Sequence, residues 1–319
     1  MVVVPETTKK WTVTGFSGFD ALKLVEEALP TLGDSQVLVK LEAATLNYRD
    51  LIITHGKYPL AIKDNVVPGS DGAGTVLAIG KQVTRFQPGD KVITLFNQEH
   101  IGGPLNASNA ITGLGGQIDG VLRTVGAFNE QGLVRKPDSL TSLEAATLPC
   151  AGLTAWNAIF GSVDHIAKPG HWILTQGTGG VSIFALQFAK SAGAKVIATT
   201  GSKEKVDYLK KLGADYVLNY KEDLTWGETA KKITGGVGVD NVVQVAGSKE
   251  MEQSIASVKI GGIINIIGFM EDMLAAIEAN PERLRPVVDQ KVFTLEEARE
   301  AYEYQWSGKH FAKVGIEIA

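Results

Sequence analysis

The residues best suited to chemistry form a glycine cluster between a strand-like run and a helix-like run. Residues 171–176 make up the apolar run, and positions 177–182 read Gly-Thr-Gly-Gly-Val-Ser. From Ile183 onward, residues recur at helical spacing. Gly177 permits a tight turn, and Gly179 lets the backbone approach a ligand closely. Because a helix N-terminus offers unpaired N–H groups and the positive end of a dipole, this turn is suited to hold a phosphate.

A second buried strand follows over residues 195–200, which completes a strand–helix–strand unit. In such a unit a dinucleotide pyrophosphate meets the N-terminus of the helix. Ser182 stands where the G-x-G-x-x-G pattern has its third glycine, and the alternative is an ordinary strand-to-helix turn. The second strand ends in Thr200, where Asp or Glu would bind ribose hydroxyls. Since Ser202 and Lys205 add a donor and a positive charge, the pattern favours NADPH over NADH.

Composition narrows the class of protein. The chain has 319 residues, enough for two domains, and a net charge of −4, which argues against nucleic-acid and anionic-membrane partners. Its single cysteine excludes an intrachain disulfide. The first residues lack the pattern of a signal peptide, and no apolar run reaches the roughly 18 residues of a membrane span. A cytoplasmic protein that acts on a small molecule is expected.

The pattern of elements predicts two domains. Residues 1–145 read mainly as strands and turns, whereas strands alternate with helices after residue 146. The glycine-rich stretch 97–120 is expected to be a long surface loop. The last helix is expected to begin after Thr294, a plausible N-cap.

Several short segments, taken in order, resemble a known family. They are Leu-Asn-Tyr-Arg-Asp at 46–50, Pro-Gly-Ser-Asp-Gly-Ala-Gly at 68–74, Phe-Gln-Pro-Gly-Asp-Lys-Val at 86–92, residues 148–156 and the glycine loop. The chain resembles zinc-independent medium-chain dehydrogenases/reductases, near the quinone oxidoreductases and NADPH-dependent enone reductases. The resemblance implies an α/β protein with a GroES-like, β-rich catalytic domain (1–145 and 286–319). A Rossmann NADP-binding domain with a doubly wound parallel sheet (146–285) would lie between them.

The zinc pattern of this superfamily is broken in the chain. Zinc-dependent members have Gly-His-Glu where this sequence has Gly69, Ser70 and Asp71. Cys150 stands at the position of one zinc thiolate, but Asn47 or Tyr48 stands at the position of the other. A single thiol cannot build the three-ligand site of a catalytic zinc. No metal is therefore expected, Cys150 is expected to be a small buried residue, and zinc-assisted alcohol oxidation is disfavoured.

A second departure concerns the length of the Rossmann half. After the strand that ends near Met270, related chains run through a loop and a sixth strand, whereas this chain continues directly into a helix-like stretch from Glu271. The missing piece usually contacts the nicotinamide and forms the edge strand through which subunits pair. Either the Rossmann domain is shortened after its fifth strand, or the sequence lacks a segment. A homodimer is left open for the same reason.

The expected activity is hydride transfer from NADPH to a quinone, an activated C=C bond of an enone, or a reactive carbonyl, without catalytic zinc. Tyr58 matches a tyrosine proposed as the proton donor in some enoyl reductases of the superfamily, and the alternative is a packing aromatic. Tyr48 is a second candidate, with core packing as its alternative. Two other functions stay open: an NADPH-binding protein with little or no turnover, and a zinc-free alcohol or aldehyde dehydrogenase.

The predicted cofactor contacts come from both parts of the chain. Asn47 is expected near the nicotinamide ribose or as the cap of a helix that begins at Tyr48. Lys205 and Tyr220 have the same spacing as a lysine and a tyrosine of the NADPH-dependent enone reductases, where the lysine meets the 2′-phosphate. The full set is Asn47, Thr154, Gly177, Thr178, Gly179, Gly180, Val181, Thr200, Ser202, Lys205, Tyr220, Ala246, Gly268 and Phe269.

Overall fold

The computed structural model describes residues 4–247, 250–265 and 286–318. It divides the chain into two compact units, the first formed by Met1–Cys150 with Val288–Ala319 and the second by Ala151–Val287. The first unit is rich in strands and takes in both ends of the chain, and the second holds a parallel sheet between helices. The predicted fold class is confirmed.

The first unit is built on a seven-stranded sheet in which the central strand β3 pairs with β14 from the end of the chain. A separate antiparallel pair, β1 and β2, lies before it in sequence. With labels in chain order, the strands of this unit are β1 (Thr7–Val13), β2 (Leu22–Ala28), β3 (Gln36–Thr45), β4 (Asp71–Ile79), β5 (Lys91–Thr94), β6 (Val125–Asn129), β7 (Leu133–Arg135), β13 (Val288–Thr294) and β14 (Lys313–Glu317).

Helices cover the sheet of the first unit, and an apolar core fills the space between them. Trp11, Leu41, Phe128 and Tyr302 are among the large buried side chains of this core, and the Trp11 indole N–H donates to the Leu295 carbonyl at 2.6 Å. The helices are α1 (Tyr48–Thr54), α2 (Ala107–Ala110), α3 (Ser142–Ala145) and α9 (Ala298–Trp306), with 3₁₀ turns at Gly18–Ala21 and Glu130–Gly132.

The second unit has five described parallel strands in the order β10-β9-β8-β11-β12. The order reverses between β8 and β11, and in open α/β sheets ligands bind at such a switch point. The strands are β8 (Trp172–Gln176), β9 (Lys195–Thr200), β10 (Tyr216–Asn219), β11 (Val239–Val243) and β12 (Val258–Asn265).

Helices alternate with these strands and bury their apolar faces on the sheet. Trp226 packs with Leu174, Ile197 and Val242 in a core that joins α7 to three strands. The helices are α4 (Leu153–Phe160), α5 (Gly180–Ser191), α6 (Val206–Lys211), α7 (Trp226–Ile233) and α8 (Met251–Ser257); Leu148–Gly152 forms a π-helical turn, and Val163–His165 and Lys203–Lys205 form 3₁₀ turns. Within the described ranges, no helix has the length and apolar character needed to cross a membrane.

Two expectations about the elements need correction. The stretch 97–120 is only partly a surface loop, since Gln98, His100 and Leu114 are buried. The last helix begins at Ala298, because Thr294 ends β13 and its backbone N–H is bound by the Glu297 carboxylate at 2.9 Å. The junction between Met270 and Glu271, and with it the predicted shortening, lies outside the described residues.

Candidate cofactor site and candidate active site

The glycine loop joins β8 to α5 at the switch point of the parallel sheet. Gly177 has a φ of +73°, and a side-chain Cβ at Gly177 or Gly179 would meet no atom within 4 Å. Ser182 replaces a third glycine without obstruction, because its hydroxyl turns inward and donates to the Gln176 carbonyl at 2.6 Å. The loop therefore leaves open space in front of the first N–H groups of α5, which fits the phosphates of a dinucleotide.

Two cavities of the second unit are lined by residues in and around this loop. One, of about 380 Å³, is lined by Gly177, Gly179, Tyr220 and Ala246 from the predicted set. The other, of about 300 Å³, is lined by Thr154 and Val181 from that set. The remaining lining residues are Gln176, Thr199, Trp226, Val245 and Glu250 in the first cavity and Ala158, Val243, Gln244, Val245, Gly247 and Asn265 in the second.

The end of β9 and the end of β10 lie side by side. Asn219 pairs with Thr200, and the Tyr220 N–H donates to the Thr200 carbonyl at 3.1 Å. The Tyr220 phenol lies over the following turn so closely that a Cβ on Gly201 would come within 2.5 Å of its oxygen. Thr200 itself is 2% exposed, and its hydroxyl accepts a hydrogen bond from the Ser202 N–H at 3.2 Å.

The lysines that follow this turn differ in their surroundings. Lys203 forms an ion pair of 2.8 Å with Glu222 on the surface. Lys205 closes the 3₁₀ turn that precedes α6, and its backbone N–H is bound to the Ser202 carbonyl at 3.3 Å. The predicted residues Thr200, Ser202, Lys205 and Tyr220 are thus neighbours at one corner of the sheet, while Thr178 and Gly180 belong to the glycine loop. Gly268 and Phe269 lie outside the described residues.

Sequence reasoning missed three polar residues that line the first cavity, namely Gln176, Thr199 and Glu250. Glu250 accepts a hydrogen bond from the Trp226 indole N–H at 3.1 Å, and Gln176 donates from its amide to the Ser254 hydroxyl at 2.7 Å. Their partners come from α7 and α8, far along the chain. A motif search could not have found these contacts, because 78 positions separate Gln176 from Ser254 and 24 separate Glu250 from Trp226.

A third cavity, of about 500 Å³, lies within the first unit and contains Tyr58 in its wall. Tyr58 is partly buried and packs against the apolar core of that unit. The rest of the wall comes from Val13–Phe16, Ile53, Gly56 and Leu60–Asn65. Both predicted roles of Tyr58 are therefore compatible with its position, since its ring packs while one side faces a cavity of ligand size.

Tyr48, the second candidate, has different surroundings. Its ring is 66% exposed and lies parallel to Trp306, with centroids 6.2 Å apart. His55 stacks on the same indole at 4.6 Å. The alternative of core packing for Tyr48 is therefore wrong, because this first residue of α1 projects from the surface of the unit.

Asn47 caps α1 and belongs to a buried polar cluster. Its backbone N–H donates to the Asp50 carboxylate at 2.8 Å. Its side-chain amide donates to the Ser70 hydroxyl at 3.2 Å and accepts from the Lys313 ammonium at 2.7 Å. Asp71 is fully buried and forms an ion pair of 3.1 Å with Lys313. The expected position of Asn47 as the N-cap of α1 is confirmed, and its side-chain amide also forms hydrogen bonds within the buried cluster.

The donor set at this place does not suit zinc. Thiolate and imidazole ligands are what zinc prefers, whereas Asn47 and Ser70 supply an amide and a hydroxyl. Burial of the sulfur, together with the negative charge of Asp71, raises the pKa of Cys150 to about 12. Across the described part of the chain, no group of three or more His, Cys, Asp or Glu side chains is arranged to hold a metal ion.

A second buried acid lies beside this cluster. Asp50 is 1% exposed, and burial raises the pKa of its carboxyl against the opposing charge of Arg49. Arg49 lies over the Phe96 ring at 4.2 Å and donates to the Leu114 carbonyl. These contacts connect α1 to the stretch 97–120 and help to explain why that stretch is buried in part.

A parallel sheet with a glycine loop at its switch point, together with a β-rich unit formed by both chain ends, defines a dinucleotide-binding oxidoreductase of two domains. Residues 33–138 match the family model of the alcohol dehydrogenase GroES-like domain, and residues 180–294 match that of the zinc-binding dehydrogenase. The chain belongs to the medium-chain dehydrogenase/reductase superfamily, whose members use a nicotinamide cofactor.

Individual relatives support this membership. A zinc-type alcohol dehydrogenase-like protein of Schizosaccharomyces pombe is 44% identical over 337 aligned positions, which cover 95% of this chain and 96% of the relative. That alignment is longer than the 319 residues of the chain, so the relative has residues without a counterpart here. The crystal structure of a putative alcohol dehydrogenase from Sinorhizobium meliloti superimposes with a TM-score of 0.91 at 34% identity, covering 99% of this chain and all of the other.

Two further relatives have names that describe reductases. The quinone oxidoreductase QR1 of Triphysaria versicolor is 35% identical and covers 73% of this chain and 66% of its own length. The 2-methylene-furan-3-one reductase of Solanum lycopersicum is 30% identical and covers 99% of this chain and 80% of its own length. The superfamily assignment thus includes relatives named for quinone and enone reduction as well as for alcohol oxidation.

Proposed function

We propose that the protein is an NADPH-dependent reductase that transfers a hydride to a quinone, to the activated double bond of an enone or to a reactive carbonyl, without catalytic zinc. The observation that carries the choice of cofactor is the corner where β9 and β10 end. Thr200 stands where NAD-binding folds have a carboxylate, and Ser202, Lys205 and Tyr220 surround the same corner. A 2′-phosphate needs such donors and positive charge.

The residues of the second unit would bind and orient the cofactor. The open space at Gly177 and Gly179 accommodates the pyrophosphate, and the cavity lined by Thr154 and Val181 accommodates a ring beyond it. When bound, NADPH supplies the hydride from its nicotinamide ring. The chain's part is to hold the two reactants in reach and to exclude water, which accounts for much of the rate enhancement in such reactions.

Tyr58 is the proposed acid. Hydride transfer to an enone leaves negative charge on the former carbonyl oxygen, and a neutral phenol can donate a proton to the resulting enolate. The wall of the cavity beside Tyr58 carries Lys63, Asp64 and Asn65, so a polar substrate group would meet hydrogen-bond donors and acceptors there. Tyr48 is the weaker candidate, because its ring is exposed on the surface of the unit and lines no described cavity.

Zinc independence is proposed from the donor set rather than from the family name. Alcohol oxidation in zinc-dependent members needs a Lewis acid that ionises the alcohol. Asn47, Ser70 and Asp71 hold each other and Lys313 by hydrogen bonds, and this network offers no imidazole or thiolate. Elemental analysis of the purified protein should find much less than one zinc per chain, and a chelator should leave turnover unchanged.

Alcohol or aldehyde conversion without zinc is the second candidate, favoured by the names of the relatives from Schizosaccharomyces pombe and Sinorhizobium meliloti. One set of assays separates the reactions. Loss of NADPH absorbance is followed with a quinone, an enone and an aldehyde, and gain of absorbance with NADP⁺ and an alcohol. Turnover confined to the alcohol–aldehyde pair would contradict the proposed reaction, and the absence of turnover with all four would favour a binding protein.

The proposed choice of NADPH is tested by comparing alanine substitutions at two neighbouring lysines. Lys205→Ala should weaken NADPH binding by roughly ten- to a hundredfold, the effect of losing a charge-assisted contact, while NADH binding barely changes. Lys203→Ala removes the same charge two residues earlier, from a side chain engaged with Glu222, and should change neither cofactor by more than about twofold. Equal losses for NADPH and NADH in the Lys205 variant, or a wild-type preference for NADH, would contradict the choice of NADPH.

A further inference from the structure

The buried ammonium of Lys313 is the centre of the polar cluster in the first unit. The side chain is 4% exposed, and its partner Asp71 is completely buried. Lys313 donates to the Leu46 carbonyl at 2.7 Å, to the Asn47 amide oxygen at 2.7 Å and to Asp71 at 3.1 Å. A lysine ammonium has three N–H donors, so these three oxygens use all of them. Lys313 therefore has no donor left for a substrate oxygen.

The acceptors around Lys313 are themselves fixed by neighbouring groups. Asp71 accepts from the Ser70 hydroxyl at 2.9 Å. Ser70 in turn accepts from the Asn47 amide at 3.2 Å. The three oxygens that face the ammonium are thus held in place by a closed network and by the backbone of β14 and of the segment before α1.

This network includes sequence positions that, by the resemblance, hold the metal ligands in zinc-dependent members of the superfamily. By the resemblance to zinc-dependent members, Ser70 and Cys150 stand at the positions of two metal ligands, and Asn47 or Tyr48 stands at the position of the third. The charges of both Asp71 and Lys313 act on the Cys150 thiol, so these three residues share one neighbourhood. An ammonium is a compact, strongly hydrated point charge that, like a metal ion, is stabilised in a protein interior by surrounding oxygens.

We propose that Lys313 is a resident cation that takes the place of the metal: it neutralises Asp71, orients Asn47 and closes this locus to divalent ions. The inference rests on the proposed zinc independence and extends it. Removal of the ammonium would leave a carboxylate, an amide oxygen and a carbonyl oxygen directed at one point. Hard divalent cations such as Mn²⁺ prefer this all-oxygen set, which differs from the thiolate and imidazole set of zinc.

Mn²⁺ binding provides the test. It can be measured by electron paramagnetic resonance, because bound Mn²⁺ loses the sharp six-line signal of the free ion. Lys313→Ala should bind one Mn²⁺ per chain at least tenfold more tightly than the wild type, and Mn²⁺ should raise its melting temperature. Lys313→Arg keeps the charge and should behave as the wild type. Lys91→Ala, which removes a lysine from an ion pair with Glu42 in the same unit, controls for the change in net charge.

Each other outcome counts against the inference. Equal Mn²⁺ binding by Lys313→Ala and Lys91→Ala would overturn it, and so would undiminished binding when Asp71→Asn is added to Lys313→Ala. If Lys313→Ala failed to fold and Mn²⁺ did not restore its folding, a cation could not replace the ammonium and the inference would be wrong. A wild type that contains stoichiometric zinc would instead overturn the proposed zinc independence, so the two failures are distinguishable.

Discussion

Tyr58 and Tyr48 belong to the same unit, but their phenol rings face different surroundings. Tyr58 is partly buried against the apolar core and lines a cavity of about 500 Å³. Tyr48 is 66% exposed and stacks on Trp306. A general acid must reach the atom that it protonates, and a cavity holds a substrate in a way that an open surface does not. This difference makes the pair a natural test and control.

Tyr58→Phe should lower turnover by roughly 10²–10⁴-fold, the range typical of a lost general acid. Cofactor affinity should stay unchanged, because the substitution removes only a hydroxyl that is proposed to meet the substrate rather than the cofactor. Steady-state rates with an enone and a separate titration with NADPH measure the two effects. Since phenylalanine keeps the ring, packing against the core is preserved in the variant.

Tyr48→Phe is the matched control and should change turnover by less than about threefold, since a single exposed hydroxyl is lost. If both variants kept full turnover, Tyr58 would be a packing residue and the proton would come from elsewhere. If both lost turnover equally, the rates would not report on the cavity, and the assignment of Tyr58 as the acid would fail.

At the scale of single residues, a site formed by neighbouring residues in the sequence could be predicted, whereas contacts between residues far apart in the sequence could not. The glycine loop could be predicted because its turn and helix are contiguous in sequence. The pair Lys313 and Asp71 could not, because 242 residues separate the two and neither belongs to a motif of charges. Likewise, the absence of a third glycine was evident at Ser182, but the inward hydrogen bond that makes a serine acceptable there is visible only in the structure.

At the scale of elements, a second loop holds the segment Leu60–Asn65, which lines the Tyr58 cavity. The Lys63 N–H donates to the Gly116 carbonyl at 2.9 Å, and the Gln117 amide donates to the Ala61 carbonyl at 3.0 Å. Asp119 completes the junction by accepting from the Val67 N–H at 3.0 Å and pairing with the Lys63 ammonium. Loops are usually mobile, and these bonds keep this wall in place.

The charge of Asp119 makes this junction sensitive to pH. Burial alone raises the pKa of Asp119, but hydrogen bonds from Lys63 and Val67 and the charges of Lys63 and Arg123 outweigh burial and hold the pKa below its usual value. A lowered pKa in the folded state means that the carboxylate stabilises the protein above the unfolded pKa of about 3.9. That stabilisation is lost as the pH falls through the folded pKa.

Asp119→Asn should therefore lower the free energy of unfolding at pH 7 by roughly 1–2 kcal/mol, the range for a partly exposed charged hydrogen bond. The gap to the wild type should close progressively below about pH 4. Urea unfolding curves at neutral and acidic pH measure it. Asp64→Asn, at an exposed carboxylate of the same wall, should show a much smaller gap. A gap of the same size at every pH would contradict the role of charge.

The elements themselves were predicted with unequal success, and the reason is physical. Strands β8 and β9 and helix α5 follow from contiguous apolar patterns and a turn. The stretch 97–120 is also contacted from a distant helix, because Arg49 of α1 donates a hydrogen bond to the Leu114 carbonyl. The start of the last helix was predicted too early because β13 pairs with β14 through Thr294, and this tertiary pairing outweighs a capping preference.

At the scale of the whole molecule, the two units carry different candidate residues. The second unit carries the glycine loop and the corner of β9 and β10, and the first carries Tyr58 and the Lys313 cluster. The sheet of the first unit depends on β14, which supplies Lys313 and pairs with β3 from the other end of the chain. A substitution in the glycine loop should therefore weaken cofactor binding and leave the fold of the first unit intact. The condition is that the new side chain is compatible with the backbone conformation at that position.

Gly179 meets that condition. Its φ of −76° is open to any residue, and a Cβ there would meet no atom within 4 Å, so Gly179→Val should cost about 1 kcal/mol or less of stability as a poorer helix cap. The added side chain would occupy the space proposed for the phosphates. Gly102→Val adds the same bulk in open space of the first unit and serves as the control.

NADPH at a hundred times its dissociation constant should raise the free energy of unfolding of the wild type and of Gly102→Val by about 2.7 kcal/mol, because a ligand that binds only the folded state stabilises it by mass action. Gly179→Val should gain almost nothing and should also lose turnover. Thermal unfolding with and without NADPH, measured beside the enone assay, separates the open alternatives. Stabilisation of the wild type without turnover would identify a binding protein, and equal stabilisation of Gly179→Val would place the cofactor away from the glycine loop.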